Sequence, residues 1–196
     1  GVQIGMFSTN REDRYQLAMA MFHAGQYAPA IQWFEQVTGP EDSLAQLAFY
    51  HLGFCYVQEG EKEFARKAFL SAYKLEQDII IREDALFNYA KLAYELGYNP
   101  FNEAIRALEA YIGEYPRSPR IDEAYGYLID LFLSTKNYAG ALEALGKISR
   151  LNDELRQAYQ KVAFYHGIEQ LNARKYDEAI ALFHKSLEFQ TDRRLN

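Results

Sequence analysis

Apolar residues recur along most of this chain with the period of an α-helix. In one segment they stand at Ala48, Phe49, Leu52, Cys55 and Tyr56. The same spacing returns further along in "AYGYLIDLF", residues 124–132. Steps of three and four residues place these side chains on one face of a helix. The pattern therefore predicts a series of amphipathic helices.

The pattern also repeats over a longer interval. The segments "QYAPAIQWFEQVTG", residues 26–39, and "KYDEAIALFHKSLEF", residues 175–189, carry Tyr, Ala-Ile and Phe at matching places. Alignment on their small residue identifies five copies, spaced by 35, 39, 37 and 38 residues. The small residues are Ala30, Ala65, Ala104, Ala141 and Ala179, and those four positions later are Phe34, Phe69, Leu108, Leu145 and Phe183. A second small or apolar position stands upstream at Ala18, Gly53, Ala90, Ile129 and Gly167.

Each copy predicts two helices joined by a turn. The turn signals stand at residues 24–26, 59–61, 96–100, 135–137 and 173–175. Ala or Gly at a helix contact leaves room for a large Tyr or Phe opposite. Because a single helix pair cannot bury its apolar face, neighbouring pairs stack. We therefore expect an all-α fold, a solenoid of about five antiparallel helix pairs.

The repeat also suggests where the units begin and end. The pairs are expected at about residues 11–42, 43–79, 82–116, 120–150 and 155–190. We interpret residues 1–10 as an N-terminal extension or a remnant of cloning, and residues 191–196 as a C-terminal tail. The last helix is as apolar as the internal ones, whereas terminal repeats usually carry a polar cap. We therefore expect that the chain is a fragment of a longer repeat protein, or that its end packs against another copy.

These residues resemble the tetratricopeptide repeat. The segment "FYHLGFCYVQEGEKEFARKAF", residues 49–69, follows the family pattern of Leu-Gly, Tyr, Gly-x-Tyr, Ala and Phe. Residues 25–34 and 175–183 match the second half of that pattern. The resemblance extends over roughly residues 11–190 and implies a right-handed superhelix that binds other proteins.

The chain departs from this family at several positions. Its period is close to 37 rather than 34 residues. Lys136 and Arg174 stand where Gly is usual, and "GYNPFNEA", residues 97–104, carries two extra turn residues. These departures are expected to loosen the turns. The segment "EYPRSPRIDEAYGYL", residues 114–128, resembles a long-repeat variety found in bacterial cell-envelope proteins such as outer-membrane assembly lipoproteins. That resemblance implies the bacterial periplasm or cell envelope, with the cytoplasm as the alternative.

Charge and composition argue against several partner classes. The chain has 21 Lys and Arg against 27 Asp and Glu, a net charge of −6 and no strong basic cluster. Proteins that bind nucleic acid concentrate Lys and Arg on one face. We therefore expect no nucleic-acid partner, and RNA binding by a similar helical repeat is the least favoured hypothesis. No apolar run approaches the ~18 residues of a membrane helix, so direct membrane insertion is not expected.

The sequence carries no motif for catalysis, a metal or a cofactor. His51 and Cys55 share a helical face, which is half of a metal-site spacing, but no second pair of ligands lies near them. Cys55 is the single cysteine, which excludes an internal disulfide. Carboxylates cluster at turns and first helical turns, where they favour the helix dipole. We therefore expect a protein that is not an enzyme and has no cofactor. An enzyme whose residues converge from separate repeats is the alternative.

By resemblance to the family, the first helix of each pair lines a concave groove. The family's carboxylate clamp of Lys, Asn and Arg is missing from it, because Tyr15, Met19, His51, Asp84 and Asn88 occupy those places. The groove is instead rich in aromatic residues, which dominate interface hot spots. The residues placed there are Tyr15, Met19, Phe22, Tyr50, His51, Phe54, Phe87, Asn88, Lys91, Tyr94, Tyr127, Asp130, Phe164 and Tyr165.

Two functional hypotheses follow. The first is a non-enzymatic scaffold that binds a peptide or a partner helix from another protein in this groove. The second is architectural: the repeats associate with copies of themselves, or join flanking domains, through their terminal helices. Several of the aromatic rings are also expected to pack between helices instead of facing solvent.

Overall fold

The described part of the chain consists of α-helices joined by turns and loops. The computed structural model describes residues 10–97, 103–148 and 150–189. Apart from Asn10, the predicted N-terminal extension and the predicted C-terminal tail lie outside these ranges. The helices are α1 (Arg11–His23), α2 (Tyr27–Glu35), α3 (Ser43–Gln58), α4 (Lys62–Lys74), α5 (Ile79–Leu96), α6 (Glu103–Glu114), α7 (Ile121–Ser134), α8 (Tyr138–Lys147), α9 (Asp153–Asn172) and α10 (Tyr176–Glu188).

The helices pack in chain order within two compact units. The first unit spans residues 1–107 and the second spans residues 108–196, so the boundary falls inside α6. In the first unit α1 packs on α2, α2 on α3, α3 on α4 and α4 on α5, while α3 also contacts α1 and α5. In the second unit α7 packs on α8, α8 on α9 and α9 on α10. The predicted all-α fold of repeated helix pairs is confirmed.

Short polar side chains start most of the first helices of the pairs. Asn10 caps α1, and the carboxylate of Asp13 bonds back to the Asn10 N–H, which completes a capping box. Asp42, Asp78 and Asn152 accept backbone N–H groups at the starts of α3, α5 and α9. Each cap satisfies donors that have no partner inside the helix.

Four helix-to-helix turns share one backbone geometry. Gly25, Gly60, Lys136 and Arg174 have φ of 72°, 79°, 57° and 61°. In each turn the N–H of this residue bonds to the carbonyl three residues earlier, and the next N–H bonds to the carbonyl five residues earlier. This is the Schellman arrangement that ends a helix. The prediction that Lys136 and Arg174 loosen their turns is therefore wrong, because both residues adopt the left-handed conformation that usually favours Gly. The turn at residues 98–102 lies outside the described residues.

The repeated small residues are explained by close contacts between paired helices. A Cβ at Gly53 would lie 2.6 Å from the ring of Phe69, and a Cβ at Gly167 would lie 2.7 Å from the ring of Phe183. Separations this short are a steric clash. At Gly53 and Gly167 a larger residue would therefore clash with the phenylalanine on the second helix, which agrees with the small residue, Ala or Gly, that the sequence pattern predicted.

Gln46 fixes the connection between α4 and α5 although it is a fully buried polar residue. Its Nε2 lies 3.2 Å from the carbonyl oxygen of Ala72 and also reaches that of Leu75. Its Oε1 accepts the backbone N–H of Asp78 at 2.8 Å. Because buried polar groups are costly when unpaired, this side chain stabilises the end of α4 and the N-cap of α5 together.

Candidate partner-binding surfaces

An aromatic cluster centred on His51 joins α1 and α3. The imidazole stacks on Phe34 with a centroid separation of 5.5 Å, and meets the edges of Phe22 at 5.4 Å and Tyr15 at 6.0 Å. Its Nδ1 lies 2.8 Å from the carbonyl oxygen of Leu47 one turn earlier, which fixes the ring orientation. The structure thus brings together three residues that the sequence assigned to the groove, namely Tyr15, Phe22 and His51.

The same cluster continues along α3. The ring of Tyr50 lies 5.5 Å from His51 and 5.0 Å from Phe54. Phe54 in turn meets the edge of the buried Phe69 at 5.1 Å. Edge-to-face contacts at these distances are favourable and restrict the motion of the rings. Tyr50, His51 and Phe54 therefore form a continuous, partly exposed aromatic strip along one helix.

A polar cluster links this strip to α5. The Tyr50 hydroxyl donates to Oδ2 of Asp84 at 2.7 Å, and Nδ2 of Asn88 donates to the same oxygen at 2.9 Å. Asn88 also donates to the backbone carbonyl of Asp84 at 2.8 Å. Hydrogen bonds to a carboxylate are stronger than neutral ones. Asp84 therefore holds the Tyr50 ring in place.

Two of the predicted groove residues belong mainly to the core. Tyr15 is 8% exposed and Phe87 is 4% exposed, since α3 covers the first and neighbouring helices cover the second. Both rings occupy the same place in their repeats, on the inward side of the first helix. These two rings therefore pack between helices, as was expected for several of the predicted aromatic residues.

The remaining predicted residues of the first unit are half-buried, with part of each side chain reaching solvent. We call this set the α1–α3–α5 surface. It consists of Met19 and Phe22 on α1, Tyr50, His51 and Phe54 on α3, and Asn88, Lys91 and Tyr94 on α5.

In the second unit the predicted residues lie on α7 and α9. Tyr127 donates its hydroxyl to Glu123 on the same helix at 2.7 Å, and Asp130 is exposed. Phe164 and Tyr165 on α9 are 46% and 48% exposed, and Tyr165 stacks on Tyr138 of α8 at 5.6 Å. Phe164 is much more open to solvent than Tyr15 and Phe87, its counterparts in the first and third pairs.

A groove between α9 and α10 contains residues that were not predicted as a site. It has a volume of about 660 Å³, and its lining includes Gln160, Lys161, Phe164, Tyr165, Phe183 and Leu187. The sequence pattern predicted only that Phe183 and Leu187 lie on the apolar face of the last helix. The signal that could have found the groove is the repeat alignment, in which Phe164 and Phe183 take positions that are buried in the first pair.

Burial shifts the pKa values of two groups in the first unit, His51 and Cys55. Burial lowers the pKa of His51 despite its bond to the Leu47 carbonyl, so the imidazole is neutral at pH 7. Burial, with the nearby Glu59, raises the pKa of the Cys55 thiol to about 12, which makes it a poor nucleophile. Within the described ranges, no group of three or more His, Cys, Asp or Glu side chains could hold a metal ion. No helix in that part of the chain is both long and apolar enough to cross a membrane.

Comparison with known proteins identifies the repeat. Residues 84–118 match the family model described as tetratricopeptide repeat. No curated protein matches the chain. Among the solved structures that share the fold, three show the following similarity to this chain. MamA from Desulfovibrio magneticus RS-1 has a TM-score of 0.54 at 16% identity, covering 94% of this chain and 97% of that one. YrrB, a TPR protein with an unusual peptide-binding site, scores 0.53 at 14% identity, with 92% and 86% covered. A TPR repeats protein from Bacteroides fragilis NCTC 9343 scores 0.61 at 16% identity, with 93% and 89% covered.

Proposed function

We propose that this chain is a non-enzymatic scaffold that binds a peptide or a partner helix on the α1–α3–α5 surface. Its residues 84–118 match the tetratricopeptide repeat, and tetratricopeptide-repeat structures share its fold. Stacked helix pairs of this kind present extended surfaces to other proteins. The observation that carries the proposal is the strip of Tyr50, His51 and Phe54, in which the Tyr50 ring contacts both of the others and all three rings are half-buried.

The strip suits binding because its rings are already ordered. Tyr50 is held by Asp84 and His51 by the Leu47 carbonyl, so neither side chain loses much freedom when a partner arrives. Ordered aromatic anchors of this kind account for much of the affinity at interfaces. The YrrB structure, which has the same fold and a peptide-binding site, supports a peptide or helix as the ligand.

The charge of the surface limits what the ligand can be. Asp84 stands where the carboxylate clamp would need a donor, and His51 is neutral at pH 7. Lys91 is the one Lys or Arg among the residues of this surface, but beside Tyr50 the Asp84 carboxylate disfavours the C-terminal carboxylate of a peptide. We propose an internal, largely apolar segment or helix face as the ligand, with its large side chains seated against Phe22, Tyr50 and Phe54.

The test is capture of a partner from native extract by the wild-type protein beside a Phe22→Ala/Phe54→Ala variant, followed by affinity measurement. Truncation of hot-spot rings should weaken binding by about thirtyfold or more. Phe64→Ala is the matched control, since Phe64 is an aromatic residue of the same unit that is 54% exposed on α4, away from this surface. Equal binding by all three proteins, each folded by circular dichroism, would refute the proposal.

The second candidate function is architectural. Among the described residues of α9 and α10, six large apolar side chains are exposed: Phe164, Tyr165, Leu171, Tyr176, Ile180 and Leu187. Exposed apolar side chains that gather on adjacent elements favour association. On this hypothesis light scattering of the wild type should give a mass above the 22.7 kDa of one chain. The Leu187→Glu variant should give the mass of the monomer. A constant monomer mass up to high concentration would remove self-association.

A further inference from the structure

The groove between α9 and α10 lies at repeat positions that are exposed in the fifth helix pair but are covered by α3 in the first pair. In the repeat alignment Phe164 corresponds to Tyr15, and Phe183 corresponds to Phe34. In the first pair α3 packs over these two positions, with the His51 ring 6.0 Å from Tyr15 and 5.5 Å from Phe34. Tyr15 is then 8% exposed, whereas Phe164 is 46% exposed.

An anchor for the start of a covering helix also recurs in the groove. The Nη2 group of Arg11 donates a hydrogen bond to Asp42, the N-cap of α3, at 2.8 Å. In the repeat alignment Arg11 stands seven positions before the small residue Ala18. The corresponding residue in the second pair is Gln46, which accepts the backbone N–H of the N-cap Asp78 of α5. In the fifth pair this position is Gln160, and its side chain lines the groove. A polar anchor thus lies beside an apolar platform in all three places.

The helices that cover these platforms share a pattern. Each begins with a capping Asp, which is Asp42 for α3 and Asp78 for α5. Each presents a fully buried alanine about two turns further in, at Ala48 and Ala85, five positions before the aligned small residue. A small residue there lets the covering helix approach the preceding pair closely.

We infer that the α9–α10 groove binds an amphipathic helix of a partner protein, with an Asp N-cap beside Gln160 and an Ala facing Phe183. This goes beyond the proposed function, which concerns the other surface. The interface would continue the one that α3 and α5 already make in the first unit, by a helix-in-groove mode.

A second copy of the chain is a poor occupant. The helix it could offer is α1, which carries Glu12, Asp13 and Gln16 where α3 carries Leu47, Ala48 and His51. All three α1 residues are exposed and polar, so α1 lacks the apolar face that α3 uses.

The probe for this inference is a synthetic peptide of residues 77–97, which contains α5 with its Asp78 cap. Titration into the protein, followed by fluorescence anisotropy, should show saturable binding. Leu187→Glu should weaken it by about tenfold or more, because Leu187 lines the groove. Ile180→Glu is the matched control: Ile180 and Leu187 are both 55% exposed on α10, but Ile180 does not line the groove. A peptide carrying Ala85→Glu should bind weakly to all three proteins.

Several results would overturn the inference. No binding of the peptide, or equal weakening by Leu187→Glu and Ile180→Glu, would show that the groove is not a helix site. A stable dimer that Leu187→Glu dissociates would assign the groove to a second copy.

Discussion

The first and fifth helix pairs carry the same aromatic pattern but use it differently. Tyr15 and Phe34 in the first pair are buried under α3, whereas Phe164 and Phe183 in the fifth pair border an open groove. The local contact is the same type in both, since each phenylalanine of the second helix fits against a small residue on the first. What differs is the neighbouring helix. The burial of a repeat residue is therefore decided by the packing of the next pair as well as by its own sequence.

The largest expected difference concerns the two phenylalanines. Phe34→Ala removes a fully buried ring and should cost about 3–5 kcal/mol of unfolding free energy. Phe183→Ala removes a half-buried ring and should cost about 1–2 kcal/mol. Urea unfolding, followed by circular dichroism and by the fluorescence of the single tryptophan, Trp33, measures both. Equal losses for the two variants would contradict the comparison.

A second pair of variants compares the contributions of Gln46 and Gln160, which occupy the same repeat position, to the free energy of unfolding. Gln46→Leu leaves the Asp78 N–H and the carbonyls at the end of α4 without their partner, and should cost about 2 kcal/mol. Gln160→Leu changes the same repeat position in the open groove and should cost less than about 0.5 kcal/mol. The urea midpoints of the two variants provide the measurement. A larger effect for Gln160→Leu would show that this residue already holds a structural contact.

Acid should weaken the first pair selectively through Asp42. Its hydrogen bonds to the Arg11 guanidinium and to the Ala45 N–H hold the pKa of this carboxyl well below its usual value near 3.8. A depressed folded pKa contributes stability above the unfolded pKa, and that contribution is lost as the pH falls towards the folded value. The stability difference between wild type and Asp42→Asn should therefore shrink below about pH 4. Thermal melts over a pH series test this, and a difference that is constant with pH would contradict it.

The smallest expected effect lies in the turns. Lys136→Gly and Arg174→Gly relieve a left-handed conformation at a residue with a Cβ, and each should stabilise the chain by about 0.5–1 kcal/mol. Gly60→Ala makes the reverse change at φ 79° and should destabilise by about 1 kcal/mol. Thermal unfolding of the three variants checks the signs. Destabilisation by both glycine substitutions would mean that contacts of the Lys136 and Arg174 side chains outweigh the backbone cost.

Much of the fold was predictable because the residues that repeat are those that contact one another within each helix pair. Gly53 and Phe69 appear at aligned positions since the clash between a Cβ and the ring leaves few alternatives. Helix starts at Asp42 and Asp78 follow from capping chemistry that the sequence displays directly. Lys136 misled the prediction because Gly is preferred in such a turn but is not required, and the hydrogen bonds of the Schellman arrangement enforce the geometry.

The candidate surfaces were less predictable because exposure depends on residues distant in sequence. Family position alone placed Tyr50, Phe54 and Phe87 together, yet Phe87 is 4% exposed while Tyr50 and Phe54 are half-buried. The Tyr50–Asp84 bond spans 34 residues, and no local pattern announces it. The role of Gln46 could not be predicted either. From sequence alone a glutamine in a helix is expected to face solvent, and its buried hydrogen bonds to Ala72 and Asp78 appear only in the structure.

The most direct test of the central claim is the affinity of a purified, captured partner for three forms of the protein, measured by isothermal titration. These forms are the wild type, Phe22→Ala/Phe54→Ala and Phe64→Ala. If the α1–α3–α5 surface binds the partner, the double variant should lose about thirtyfold or more while Phe64→Ala stays within about twofold. A folded double variant that binds the partner as tightly as the wild type would contradict the claim.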